Sequence, residues 1–336
     1  MKPLVSILIP AYNAEDTIAQ TLQSAIAQTW PRKEIILVDD GSTDRTAEVA
    51  QRFGSNVTVV SSEHRGAQVA RNHAFRLSQG EYIQWLDADD LLAPDKIERQ
   101  IAALRESDGR RILLSSPWAP FYYRTRHARF VHNSLCEDLS PAEWLLRKMG
   151  ETLFIQPGGW LTSRELIEAA GRFDTSLSFD DDGEYYCRVL LASAAIRFVP
   201  GTGVLYRMSN SSRVSYIGNS EQKKDSLLRS MKVHIQCLRS LEESDRVRKV
   251  CLTYLQDWYP VFYLGKADKV EELQRIAARF GGCLEEPELR WKYAWLRPLF
   301  GWKAANWAQT VLPQLKASYA RQFDKLMYMI EDHGPL

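Results

Sequence analysis

The sequence predicts an α/β fold: a mostly parallel sheet flanked by helices, followed by an all-helical C-terminal appendage. Three observations predict it. Short continuous apolar runs at residues 4–9 and 34–38 alternate with helically spaced segments, as strands buried on both faces and their crossover helices do. A further run, residues 82–86, ends in Asp87-Ala88-Asp89-Asp90, so acids stand where a parallel sheet presents the carboxyl ends of its strands. From about Ser220 onward only helical periodicity remains.

Taken in order, residues 4–9 lie between Pro3 and Pro10 and form the first strand. Ile18, Leu22, Ala25 and Ile26 give residues 15–28 one apolar helical face. Residues 34–38 make a second strand, 46–53 a short helix with Asp44 near its start, 57–60 a third strand and 67–77 a third helix. Strand 82–86 follows, and the alternation implies right-handed crossovers onto one sheet. Beyond it come a strand at 111–116, an irregular or hairpin segment at 121–131, and a helix at 141–149. Turn chemistry at 156–162 precedes helices at 163–170 and 183–193, with late strands at 196–199 and 204–208. In the last part Leu228, Met231, Ile235 and Leu238 recur at three and four, as do Leu312, Leu315, Tyr319, Phe323, Leu326 and Ile330. The expected division is an α/β domain over 1–218 and a helical region over 219–336.

Composition narrows the classes. A net charge of +1 over 336 residues lacks the basic excess of a nucleic-acid-binding protein. Five scattered cysteines at no metal-ligand spacing argue against a disulfide framework and a zinc site. The first apolar run is too short for a signal-peptide core and no run reaches transmembrane length. The expectation is a soluble, cytoplasmic chain, with the inner face of a membrane as a candidate surface.

The chemistry concentrates in acids. Alternation along an extended chain puts Asp87 and Asp89 on one side, and oxygen-only ligands favour Mg²⁺ or Mn²⁺ shared with a phosphate. The alternative is capping of the following helix by Asp90 or Asp95, which leaves Asp87 and Asp89 unexplained. In Val38-Asp39-Asp40-Gly41-Ser42-Thr43-Asp44, a strand end meets a glycine turn, and an Asp there can accept the imide N–H of uracil or bond a ribose; an ordinary capped turn reads equally well. Arg65-Gly66 and Ala70-Arg71-Asn72 open the third helix, where amide dipoles and guanidinium groups suit phosphate. A solvated basic face is the plainer explanation, and His64 is assigned no role. Asp180-Asp181-Asp182 exceed what a helix cap requires, so one of them is a candidate general base, with Arg188 as the cation that orients them.

Gly158-Gly159-Trp160 suits a wall against a sugar ring, with a core tryptophan as the equal alternative. Arg207 and, beyond it, Arg213 could close over a diphosphate, or lie in a surface loop. The aromatic and basic stretch 290–303 could rest on a membrane surface; packing onto the rest of the chain is preferred, because overall charge offers no attraction to anionic lipid.

With these motifs assembled, the first two hundred or so residues resemble the GT-A fold of the large inverting glycosyltransferase family numbered two. The resemblance rests on Ile9-Pro10-Ala11-Tyr12-Asn13, Val38 to Asp44, Gly66 with Ala70-Arg71-Asn72, and Leu86 to Asp90. It implies that Pro10 and Tyr12 border the nucleotide base, that Asp40 recognises it, and that Arg71 lies near the donor phosphates. Asp87 and Asp89 match the family's Asp-x-Asp motif, with Asp87 on the donor and Asp89 the metal ligand. The family's Glu-Asp pair followed by an Arg corresponds to Asp181, Asp182 and Arg188, with Asp replacing Glu, and Asp182 is favoured as base. Trp160, Asp181 and Arg207 are candidate acceptor or diphosphate contacts. The resemblance fades beyond about residue 215.

The function implied is metal-dependent, inverting transfer of a sugar from a nucleoside-diphosphate sugar, UDP preferred, to an acceptor hydroxyl of a glycan, lipid or other small molecule. Rival classes are a sugar nucleotidyltransferase and a non-catalytic nucleotide-sugar-binding regulator. The former would need a glycine-rich basic loop after the first strand, and Ala11 to Glu15 is neither. Peripheral membrane contact and a homodimer through the helical tail are candidate associations.

Overall fold

The computed structural model describes residues 2–104, 109, 111–208, 217–218, 220–263 and 266–331. The late loop 209–213, including Arg213, lies outside the described residues.

The central sheet runs β3-β2-β1-β4-β8. Its strands β1 (Val5–Ala11), β2 (Lys33–Asp39), β3 (Thr58–Ser61) and β4 (Tyr82–Trp85) are parallel, and β8 (Thr162–Ser163) closes one edge antiparallel to β4. Every residue of β1 is buried, which is why the sequence there is apolar but for Ser6, whose hydroxyl donates to Glu34. Helices α1 (Ile18–Ile26), α2 (Thr46–Gln51) and α3 (Ala67–Leu77) supply the crossovers. In register, Ala11 stands beside Asp39 and Leu8 beside Trp85, so the acid-bearing ends of β2 and β4 flank the end of β1 at one edge.

Beyond β4 the chain departs from a simple doubly wound pattern. Leu91–Leu92 forms β5, and α4 begins only at Lys96, after Pro94, and ends at Ala102. Asp90 therefore caps no helix. The strand expected at 111–116 is β6 (Ile112–Ser115), but it pairs with β9 (Ala195–Phe198) in a separate two-stranded sheet. Within the segment expected to be irregular or a hairpin, only its edge is strand: β7 (Trp118–Phe121) joins β10 (Val204–Arg207) and β5 in a small three-stranded sheet.

Helix α5 (Pro141–Gly150) starts on Ser140, whose hydroxyl accepts the Glu143 N–H, with proline in the first turn. Ser163 caps α6 (Arg164–Ala170) in the same way. Helix α7 spans Asp181–Ala192, two residues earlier than the pattern predicts, because Asp180 enters the left-handed region at φ 55° and lets the turn begin at the acids. Then come α8 (Glu221–Leu241), α9 (Asp245–Tyr263), α10 (Ala267–Arg279), α11 (Trp291–Ala294) and α12 (Leu296–Ile330), the last kinked at Gly301. Helices α8 to α10 share one apolar core with the α/β part: Leu227, Leu238, Tyr254 and Phe262 belong to the same cluster as Trp85, Trp144 and Leu190. The outer helical stretch from residue 290 is different, with Trp291, Trp295, Leu299 and Phe300 largely exposed. The expected packing of that stretch onto the rest of the chain is thus limited. Trp302 makes it, donating to Pro287 O and meeting Tyr263 at 5.1 Å, while most neighbouring rings stay in solvent.

Candidate active site

At the carboxyl edge of the sheet, the loop after β1 is laced to the loop after β2. Asn13 N–H donates to Ser42 Oγ, Thr43 N–H to Asn13 Oδ1, and Ala14 N–H to Thr46 Oγ1. Gly41 turns the chain with φ 72°, and a Cβ there would stand 2.7 Å from His64 N, so only glycine lets the loop after β2 meet the loop after β3. Pro10 is buried in β1. Tyr12, 45% exposed, stacks on His64 with ring centroids 4.1 Å apart and 23° between planes.

Asp40 is engaged by the loop that precedes α3. Its carboxylate is 2% exposed and accepts from Arg65 N–H at 2.9 Å and Gly66 N–H at 2.8 Å, with His64 Nδ1 at 2.9 Å. It therefore fixes the loop that carries His64. The aromatic shelf is Tyr12 with His64, a partner that the sequence left without a role because a lone histidine has no pattern.

The two acid clusters are joined by Arg71. From the first turns of α3, Arg71 Nη2 donates to Asp87 Oδ1 at 2.9 Å and Nη1 to Asp181 Oδ2 at 2.8 Å. The guanidinium also lies 5.1 Å from the Phe173 ring centre. Burial works against its charge, but Asp87 and Asp181 outweigh it and hold the group above its ordinary range. Arg188 is not the orienting cation: it pairs with Glu184 one turn away and donates to the carbonyls of Ala170 and Arg172. The helical period explains this, since Glu184 at i−4 shares its face and Asp181 and Asp182 do not reach it.

Asp182 sits at the start of α7, and its Oδ1 accepts Gly183 N–H at 2.9 Å. Burial first, then repulsion from Asp181 and Asp180, push its pKa up to about 7, against the lowering by Arg71. Asp180 turns inward. Its carbonyl accepts Glu184 N–H, and Ser230 of α8 donates to its carboxylate. A Cβ on Gly183 would fall 2.2 Å from Asp180 Oδ1, so glycine is required for the fold-back. Behind it, Ser226 Oγ accepts N–H from Ser178 and Phe179 at 3.0 Å each and donates to Phe179 O. Helix α8 therefore braces the acid loop from below.

Asp87 and Asp89 stay partly exposed past the end of β4, while Asp90 is buried. Asp90 Oδ1 accepts Arg207 N–H at 2.9 Å and its Oδ2 is buried without a hydrogen bond. Among the described residues no three His, Cys, Asp or Glu side chains form a closed metal cage. The donor set nevertheless fits a hard divalent cation held by one or two carboxylates and completed by a diphosphate and water.

Two candidate contacts are corrected. Trp160 is 1% exposed and stacks on Tyr186 within the main core, so its face covers no sugar. Arg207 is 4% exposed; its Nε donates to Asp89 O at 2.7 Å and its Nη2 to Gln20 Oε1 at 2.7 Å, with the Phe121 ring beneath. It holds the acid loop in place and does not reach out to a diphosphate. Asp181 is engaged by Arg71 as described.

Residues 6–169 match the sequence model of Glycosyl transferase family 2. This stretch, just under half of the chain, carries the sequence pattern of that family. A glycosyltransferase of Rickettsia typhi with no assigned role is 33% identical over 201 residues, covering 57% of this chain and 60% of the relative. Glycosyltransferase GlyG of Streptococcus pneumoniae is 29% identical over 226 residues, 63% of this chain and 73% of its own length. The chain thus spans about 60% of the length of relatives such as the rickettsial protein. Among solved structures, S. aureus TarS 1-349 in complex with UDP-GlcNAc superposes with a TM-score of 0.63 at 20% identity, over 83% of this chain and 80% of that one. The mannosyltransferase PcManGT of Pyrobaculum calidifontis, in complex with GDP-Man and Mn²⁺, gives 0.52 at 20% identity, over 83% and 81%. At that identity both establish the GT-A fold and nothing finer.

Proposed function

We propose that this family 2 chain transfers a sugar from a nucleoside diphosphate, UDP preferred, to an acceptor hydroxyl with inversion at the anomeric carbon. The observation that carries the reading is the Arg71 bridge: one guanidinium bonded to both Asp87 and Asp181 draws the end of β4 and the start of α7 into a single crevice. The base would lie on the Tyr12 and His64 shelf, with the Asp39 end of β2 beside it. A UDP donor is supported by the fold likeness to TarS solved with UDP-GlcNAc, while the GDP-Man complex of PcManGT marks the alternative.

Asp182 is the proposed general base. Its raised pKa suits a carboxylate that must take a proton near neutrality. The acceptor O–H gives its proton to the Asp182 carboxylate while its oxygen forms the new bond to the anomeric carbon. The sugar-to-phosphate C–O bond breaks on the opposite face and its electron pair leaves with the diphosphate. Asp89, with Asp87 beside it, would hold Mn²⁺ or Mg²⁺, which when bound supplies positive charge for the departing phosphates. Arg71 holds Asp87 and Asp181 in place, and Arg207 holds the Asp89 backbone. The acceptor, a glycan or lipid-linked alcohol, would approach from the Asp182 side, and the site of action proposed is the cytoplasm.

A donor screen tests this: hydrolysis of UDP-, GDP- and dTDP-sugars with and without Mn²⁺, beside calorimetry of the free nucleotides. UDP binding strengthened by Mn²⁺, with slow hydrolysis of a UDP-sugar, is the expected result. Binding of no nucleotide under any metal would overturn the reading.

A further inference from the structure

Helix α12 is amphipathic in an inverted sense. Its polar side lies on the α/β domain: Asp324 accepts from Tyr123 N–H and Arg124, Glu331 from Arg124 and Arg126, and Tyr328 O–H meets Gln20. Its apolar side, Leu312, Leu315, Tyr319, Phe323, Leu326 and Ile330, points away, each residue between 45% and 73% exposed. The stripe continues toward Trp307 and, past the Gly301 kink, to Phe300, Trp295 and Trp291. An apolar face this long on a soluble surface requires a covering partner.

The charge around it identifies the partner. Residues 290–331 carry seven Lys and Arg against two acids, Asp324 and Glu331, both turned inward onto Arg124, and of the seven cations Arg297 pairs with Glu286. The near-neutral total for the chain conceals this local excess. Between α11 and α12 lies a cleft of about 570 Å³ lined by Arg290, Lys292 and Lys316 with Trp291, Tyr293 and Leu312, and no acid on its wall. Cations interleaved with tryptophan and tyrosine, above leucine and phenylalanine, are the composition of a helix lying in a lipid headgroup layer. A second copy of the same arm would set one cationic excess against another, whereas an anionic bilayer neutralises it. Among the described residues no helix is long and apolar enough to cross a membrane, so the arm would lie along the surface.

We propose that residues 290–330 form a docking arm for the surface of an anionic bilayer. Acyl chains would take the Leu312 to Ile330 stripe and headgroup phosphates the Arg290, Lys292 and Lys316 cleft. This stands on the arm alone and does not depend on the transfer chemistry. The full chain should co-sediment with vesicles of phosphatidylcholine containing a quarter phosphatidylglycerol, remain in solution with phosphatidylcholine alone, and dissociate in salt of about 0.5 M. Lys292→Glu with Lys316→Glu should lower partitioning roughly tenfold or more, and Phe323→Ser with Leu326→Ser should lower it comparably. Both pairs replace solvent-facing side chains, so their thermal midpoints should match the parent, which separates lost docking from lost folding. The proposal fails if the parent chain ignores anionic vesicles. It fails also if the charge reversals bind as the parent does, or if the stripe proves instead to hold a dimer that Phe323→Ser with Leu326→Ser dissociates while the parent binds no lipid.

Discussion

Arg71 and Asp181 lie 110 residues apart in sequence and 2.8 Å apart in space, and the same guanidinium holds Asp87. Without this cation, Asp87, Asp181 and Asp182 would share one crevice uncompensated. Arg71→Met should cost about 3–5 kcal/mol of folding stability, the usual consequence of leaving buried charge unpaired. Arg71→Lys, which retains charge but cannot span two carboxylates in one plane, should fold and lose activity. Urea unfolding and initial rates check the pair; unchanged stability in the Met variant would show that the bridge is dispensable.

The pH dependence follows from Asp182. A base must be ionised, so the turnover rate should rise with pH and level off above about 7. Stability moves the other way. A carboxyl whose folded pKa is raised contributes most below its unfolded value of 3.8, and that contribution is lost as pH climbs through about 7. Asp182→Asn should abolish transfer, retain donor binding measured by calorimetry, and flatten the stability profile across that interval. Transfer at the parent rate by the Asn variant would assign the proton to another group.

Helix α8 should matter for turnover although it supplies no acid to the crevice. Ser226→Ala leaves the Ser178 and Phe179 N–H groups without their acceptor and should cost about 1–3 kcal/mol. Gly183→Ala drives a methyl into Asp180 and should reduce kcat more than it raises KM for the donor, because the disturbed element carries the base. Steady-state kinetics on both variants decide it; a change confined to donor KM would move the effect to the nucleotide side.

Arg207 should set the metal requirement. Its Nε bond to the backbone carbonyl of Asp89 fixes the chain that carries the carboxylate proposed to bind the cation. Arg207→Lys retains the charge and loses the paired donation to Asp89 and Gln20, so the Mn²⁺ concentration for half-maximal activity should rise about tenfold or more. A metal titration at saturating donor gives the answer, and an unchanged midpoint would remove Arg207 from that role.

How far the sequence could be read depends on what each residue answers to. The parallel strands β1, β2 and β4 were legible because burial on both faces leaves mostly apolar residues, with Ser6 and Gln84 as buried polar exceptions. The acids at their ends stood out because packing alone does not call for them. The separation of β6 from the central sheet was not legible, since an apolar strand carries no mark of its neighbour. Nor was the partner of Arg188: both Glu184 and the aspartates offered a carboxylate, and only helical geometry selected Glu184.

The sequence by itself determined the strand and helix alternation, the placing of acids at the carboxyl edge of the sheet, and the likeness of residues 6–169 to family 2 glycosyltransferases, because periodicity and local motifs are written in consecutive residues. Tertiary structure alone decided that Arg71 joins the two acid clusters, that Asp40, Trp160 and Arg207 turn inward, and that the cationic arm shows its apolar face to solvent. These are contacts and exposures between residues up to 308 positions apart, where burial, charge neutralisation and the direction of each side chain are fixed by packing and not by the neighbours in the chain.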